Sequence, residues 1–116
     1  MQWWENYYAD VDSKDIKRVE AWFTEDIVLQ FGNTPEILGR EQAIAALGGF
    51  TAGLSSLSHC CGRTIENGNE LFMDAAVTYT LPDGRTVCIP AATYKKRRGE
   101  KICELRVYAD FSPLYG

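Results

Sequence analysis

Apolar positions change period along the chain, and the changes mark out its elements. Trp4, Tyr7, Tyr8 and Val11 recur at helical spacing, which predicts a first helix with one broad aromatic face that must be buried. The pattern breaks at Asp12-Ser13-Lys14-Asp15, where capping residues stand. It restarts with Ile16, Val19, Trp22 and Phe23 on one side of a second helix. Ile27-Val28-Leu29-Gln30-Phe31 is a short, mostly apolar run closed by Gly32-Asn33-Thr34-Pro35, the pattern of a strand that ends in a turn. Gly39-Arg40-Glu41-Gln42 leads into Ala43, Ile44, Leu47 and Phe50. This predicts a third helix, whose glycine-rich tail from Gly48-Gly49 to Gly53-Leu54 is free to fray or kink.

From residue 57 onward the period falls to two. Asn67-Gly68, Asp83-Gly84 and Arg98-Gly99 punctuate this half as a meander of four antiparallel strands, with no room for crossover helices. Along the last strand Cys103, Leu105, Val107, Ala109 and Phe111 alternate with Glu104, Arg106, Tyr108 and Asp110, so one sheet face covers a core and the other is polar. Helices first and meandering strands after make the class α+β, with three N-terminal helices on one face of a twisted sheet.

The length of 116 residues, with 46% apolar and 24% charged side chains, suits one domain over 1–116 with one core. A net charge of −4 repels a phosphate backbone and argues against nucleic acid. The only basic run, Lys95-Lys96-Arg97-Arg98, precedes Gly99 and reads as a solvated hairpin tip without function. No run approaches the ~18 apolar residues of a membrane span. Met1-Gln2-Trp3-Trp4-Glu5 lacks the regions of a signal peptide, so no membrane partner and a cytoplasmic location are expected. Cys60, Cys61, Cys88 and Cys103 form no C-x-x-C pair and His59 is the single histidine, so no metal site is expected. Neighbouring Cys60 and Cys61 face opposite sides of a strand. With a turn at Arg97 to Glu100, Cys88 lies near residue 109 and Cys103 near Tyr94, which predicts four reduced thiols.

The order helix, helix, strand, helix, meander, with the phrases VDSKDIKRVEAWFTEDIVLQFG, PEILGREQAIAAL, LPDGRTVCIPAATY and GEKICELRVYADFSP, resembles the nuclear transport factor 2-like superfamily. Within it the chain is most similar to the SnoaL-like polyketide cyclase group, with ketosteroid isomerase and scytalone dehydratase as relatives. The resemblance spans essentially the whole chain. It implies a cone-shaped, cystatin-like α+β roll whose strongly curved, mixed or antiparallel sheet closes on an apolar pocket.

Carried over residue by residue, the resemblance gives a partial site. The helix tyrosine of ketosteroid isomerase corresponds to Tyr7, its base falls on Gln30 and its second carboxyl on Ala92. The acidic residue on the last strand of the SnoaL cyclases has its nearest pocket-facing counterpart in Val107, while Glu104 and Asp110 have the opposite parity. The YDSKD phrase of scytalone dehydratase resembles Val11-Asp12-Ser13-Lys14-Asp15, and its strand-start histidine lands on His59. Its second histidine and its asparagine fall near Leu81 and Pro90. Asp12 and His59 are therefore the candidate acid/base pair, because a carboxylate that orients an imidazole makes a competent proton carrier near neutral pH. Asp12 also suits an N-cap, and His59 a histidine bonded to a backbone carbonyl.

Tyr7 and Gln30 are candidates to orient a substrate oxygen; Val11, Trp22, Tyr79 and Val107 are candidates for the pocket wall. The function implied is that of an isomerase, cyclase or dehydratase, which moves protons without a cofactor on an apolar cyclic or polyketide-like molecule. A non-catalytic ligand-binding or dimerisation module on the same fold is the alternative. Glu104, Arg106, Arg85 and Tyr108 mark an outer sheet face that is either solvated or the contact of a homodimer.

Overall fold

A computed structural model of the chain describes residues 2–115. Helix α1 spans Trp3–Asp12 and α2 spans Ile16–Glu20; strand β1 runs Phe23–Phe31, the two-residue β2 is Ile37–Leu38, and α3 covers Arg40–Ala52. The second half is β3 (Ser56–Asn67), β4 (Glu70–Thr80), β5 (Thr86–Arg98) and β6 (Lys101–Tyr108), followed by a 3₁₀ turn at Ser112–Leu114. The sheet order is β2-β1-β6-β5-β4-β3, open at both ends and antiparallel except where β1 lies parallel to β6. None of the described helices is long and apolar enough to cross a membrane.

Three expectations give way to tertiary pairing. The second helix stops at Glu20, so Trp22 and Phe23 leave it: Phe23 pairs with Ile102, and the Ile102 N–H donates to the Trp22 carbonyl at 2.7 Å. A single helical turn has little stability of its own, so the strand pairing wins. Asp12 is the last residue of α1 and caps nothing; the N-cap of α2 is Asp15, whose side chain accepts from the Lys17 N–H at 3.2 Å. The last strand slips in register at Lys96/Arg97, so Ile102 and Leu105 are both buried and the alternation predicted through Cys103 is broken. Cys103 accordingly lies near Lys96 rather than Tyr94, Cys88 faces Thr78 on β4, and all four thiols are free.

The buried side chains form two clusters. One gathers Tyr7, Tyr8, Val19, Phe23, Leu47 and Leu105 under the helices; the other gathers Leu57, Val77, Tyr79, Ile89, Ala91 and Leu114 toward the open end of the cone. Between them, where neither cluster reaches the other, a cavity is left.

Candidate functional site

The cavity has about 70 Å³ open to the centre of a water-sized sphere, room for several waters. Its wall takes side chains from α1, α2, α3 and the inner faces of β1 and β3 to β6. Its one exposed lining residue, Lys14, stands beside half-buried Phe50 and Thr51, so the mouth lies between the α1–α2 turn and the end of α3. Lys14 holds a left-handed backbone (φ 63°), which costs a non-glycine residue roughly 1–2 kcal/mol. Its ammonium group donates to the Leu54 carbonyl at 2.5 Å, tying the two sides of the mouth together.

Asp12 and His59 meet at the rim. Asp12 Oδ1 lies 2.6 Å from His59 Nδ1, and Asp12 Oδ2 accepts the His59 backbone N–H at 2.9 Å. A carboxylate can only accept, so the imidazole hydrogen sits on Nδ1, and Nε2, with no partner among the described residues, is left to take or give a proton. The pairing follows from local structure: Asp12 ends α1, and His59 shares inward parity on β3 with buried Leu57. His59 lines the cavity, whereas Asp12 stands behind it, bordering a shallow outer groove that also touches His59.

Tyr7, Val11, Tyr79 and Val107 line the cavity. Burial, followed by the Asp12 carboxylate, pushes the Tyr79 hydroxyl up to about 12, so it stays a donor at neutral pH. Gln30 and Trp22 do not line it. Gln30 has outward parity between Leu29 and Phe31; its amide donates to the Thr34 carbonyl and its oxygen accepts from Arg106 at 2.6 Å. Trp22 packs beneath α1 against Trp3 and Tyr7, and its indole N–H donates to Asp10 at 2.8 Å. Ala92, where the second isomerase carboxyl was expected, also faces outward, with Ala91 and Thr93 facing in. Arg106 bonds Glu104 and Glu36, while Arg85 stays in its turn with Asp83 and does not join them.

The basic run contains what the sequence reading missed. Lys95 is 0% exposed, and only Lys96, Arg97 and Arg98 form the hairpin end. Its ammonium group donates to the Tyr8 hydroxyl at 2.5 Å and to Thr93 Oγ1 at 2.6 Å, and it lies 4.6 Å from the centre of the Tyr8 ring. Among the described residues it makes no ion pair. Burial pulls its pKa down to about 7 and drives the Tyr8 hydroxyl well up. The signal was present as parity: Ile89, Ala91, Thr93 and Lys95 alternate inward along β5. Tyr8 joins the two polar groups, because its ring stacks on His59 with centroids 4.4 Å apart.

Residues 4–105 match the SnoaL-like domain family. The chain belongs to that family. No curated protein matches the sequence. This SnoaL-like domain is similar in structure to a protein from Jannaschia sp. CCS1 provisionally named a SnoaL-like polyketide cyclase, at 18% identity and TM-score 0.83, covering 97% of this chain and 86% of that one. A protein of ketosteroid isomerase-like fold from Catenulispora acidiphila DSM 44928, solved with trimethylamine, gives 17% and 0.85 over 96% and 87%. TerC, co-crystallized with polyporic acid, gives 16% and 0.79 over 94% and 89%. At these identities, and with an NTF2-like protein from Anabaena variabilis ATCC 29413 at 18% and 0.82 over 94% and 84%, the likeness establishes the nuclear transport factor 2-like fold of the SnoaL-like domain, an α+β roll.

Proposed function

We propose that this SnoaL-like domain is a cofactor-free enzyme of the isomerase, cyclase or dehydratase type that moves a proton on an apolar cyclic or polyketide-like molecule held in the cone. The observation that carries the reading is the Asp12–His59 hydrogen bond at the rim of an apolar cavity. His59 Nε2 takes the proton from the substrate. Asp12 fixes the ring and stabilises the imidazolium that forms, as a carboxylate does when it holds the far nitrogen. Tyr7, Val11, Tyr79 and Val107 shape the space around the reacting atoms. TerC's crystals with polyporic acid support a cyclic ligand by analogy.

The test has two steps. Aromatic polyketides and steroids are screened by thermal shift, since a ligand that binds only the native state raises its melting temperature. Turnover of the ligand found is then measured for wild type and His59→Ala. The expected result is a fall of about 10²–10⁴-fold in turnover with binding kept; an unchanged rate overturns the assignment. Tight binding without turnover by the wild type supports the other reading, a ligand-binding module.

The outer sheet face supports a homodimer. Phe72 and Tyr108 are 52% and 50% exposed there, Phe72 packs on Tyr94 with centroids 4.9 Å apart, and Ala76, Pro90 and Ala92 continue the face. Two copies meeting isologously across it would cover these side chains.

A further inference from the structure

Lys95 is a buried cation with two hydroxyl partners and no counter-ion, and it lies directly behind the cavity wall. Nature rarely leaves such a charge unpaired, because its desolvation is repaid only by an opposite charge or by loss of the proton. Tyr8 and Thr93, which hold its ammonium group, both line the cavity, whereas Lys95 itself does not.

The direction of these hydrogen bonds decides what the wall presents. A protonated Lys95 can only donate, so both hydroxyls accept from it. The hydroxyls lie 3.4 Å from each other, and only one of their two hydrogens can be used between them. The other remains to be donated, and the open space beside it is the cavity. The inner wall is thus a donor site with a positive charge behind it, in surroundings too dry to screen that charge.

We propose that Tyr8, Thr93 and Lys95 form an anion-binding site at the inner wall of the cone, which receives an ionised oxygen (carboxylate, enolate or phenolate) carried on an apolar, ring-sized ligand. The inference deepens the functional reading above, in that it names the charge of the molecule the same cavity takes. A ligand bound this way sets its anionic oxygen against Tyr8 and Thr93, with His59, which stacks on the Tyr8 ring, lining the same cavity. An enolate formed by removal of a proton at His59 is an anion of this class, so the site would favour product-side charge as well as an acidic ligand.

Binding is linked to a proton. The titratable groups around Lys95 are Tyr7 and Tyr8 from α1 and Cys61 from β3, and each is held neutral by burial. The Asp12–His59 pair adjoins them through the His59 ring, which stacks on Tyr8. With its pKa near 7, Lys95 is largely neutral at pH 8.5. An anion that requires the ammonium form must therefore bring a proton in with it.

The probes are benzoate and its neutral isostere benzamide, titrated calorimetrically into the full chain at pH 8.5 in buffers of different ionisation heat. Wild type is expected to bind benzoate at least about ten-fold more tightly than benzamide and to take up close to one proton with benzoate alone. Lys95→Met, checked by its melting curve, is expected to lose both the preference and the proton uptake. Tyr8→Phe, which keeps the ring on His59, is expected to weaken benzoate and leave benzamide unchanged. Equal affinities in wild type, no proton uptake, no benzoate binding, or a Lys95→Met chain that still prefers benzoate each overturns the anion site. Benzamide bound with benzoate refused removes this inference alone, whereas turnover that survives His59→Ala removes the catalytic reading alone.

Discussion

Two polar groups stand around the same apolar cavity and are built on opposite terms. At the rim, Asp12 and His59 sit with their side chains 24% and 11% exposed and answer each other: one can carry a negative charge, the other a positive one, at 2.6 Å. At the inner wall, Lys95 is fully buried and answered only by hydroxyls. The first is a partnered pair, partly exposed to solvent; the second is a cation with hydrogen-bond partners but no counter-charge. A charge that supports the fold is balanced within it, whereas Lys95 has hydrogen bonds but no counter-charge, and its two hydroxyl partners face whatever occupies the cavity.

The largest effect that would sharpen this contrast is on catalysis. With a substrate in hand, Asp12→Asn should lower turnover by roughly 10²-fold or more, because the amide no longer holds Nδ1–H or stabilises the imidazolium. Rates near wild type would make the rim pair structural. Next comes stability, where the two groups should respond with opposite sign. Lys95 has a folded pKa near 7 against an ordinary 10.5, so between those values the unfolded chain holds a proton that the folded chain does not. Stability therefore rises with pH from about 7 to about 10, and the penalty, on the order of 5 kcal/mol, is fully present below pH 7. Lys95→Met should raise the melting temperature at pH 7 and flatten this rise; a destabilised variant with an unchanged pH profile would show that the lysine holds the fold together.

Asp12→Ala should do the reverse and cost about 1–3 kcal/mol in denaturant unfolding, since it leaves the His59 backbone N–H and Nδ1–H without acceptors. Above about pH 10 the sign changes for the inner wall, because Tyr7 and Tyr8 keep protons there that the unfolded chain loses. Tyr8→Phe should soften this alkaline fall. The smallest effect is at the outer face, where Phe72→Glu is expected to shift sedimentation toward monomer with the cavity unaffected. A wild type that sediments as a monomer at every concentration would remove the dimer.

The rim pair was legible through the resemblance alone: the YDSKD phrase of scytalone dehydratase points to Asp12 and its strand-start histidine to His59, and the fold brings the two side chains to 2.6 Å. What the sequence misassigned turned on parity and register. Gln30 looked like a buried amide because apolar residues flank it. Strands alternate, however, and its neighbours Leu29 and Phe31 took the inside. Trp22 and Phe23 continued a helical spacing, yet pairing with β6 drew Phe23 into a strand and left Trp22 under α1.

Lys95 shows the same limit most sharply. Read as composition, four basic residues before a glycine are a solvated turn; read by period, Lys95 continues the inward row of Ile89, Ala91 and Thr93. Local pattern alone determined the α+β class, the helix starts and the three hairpin turns. How far the β5–β6 hairpin reaches under α1, and thus whether Lys95 ends in water or beneath Tyr8, was decided only when the sheet packed on the helices. Secondary structure is set by contacts a few residues apart, whereas the burial of a charge depends on which distant element comes to lie over it.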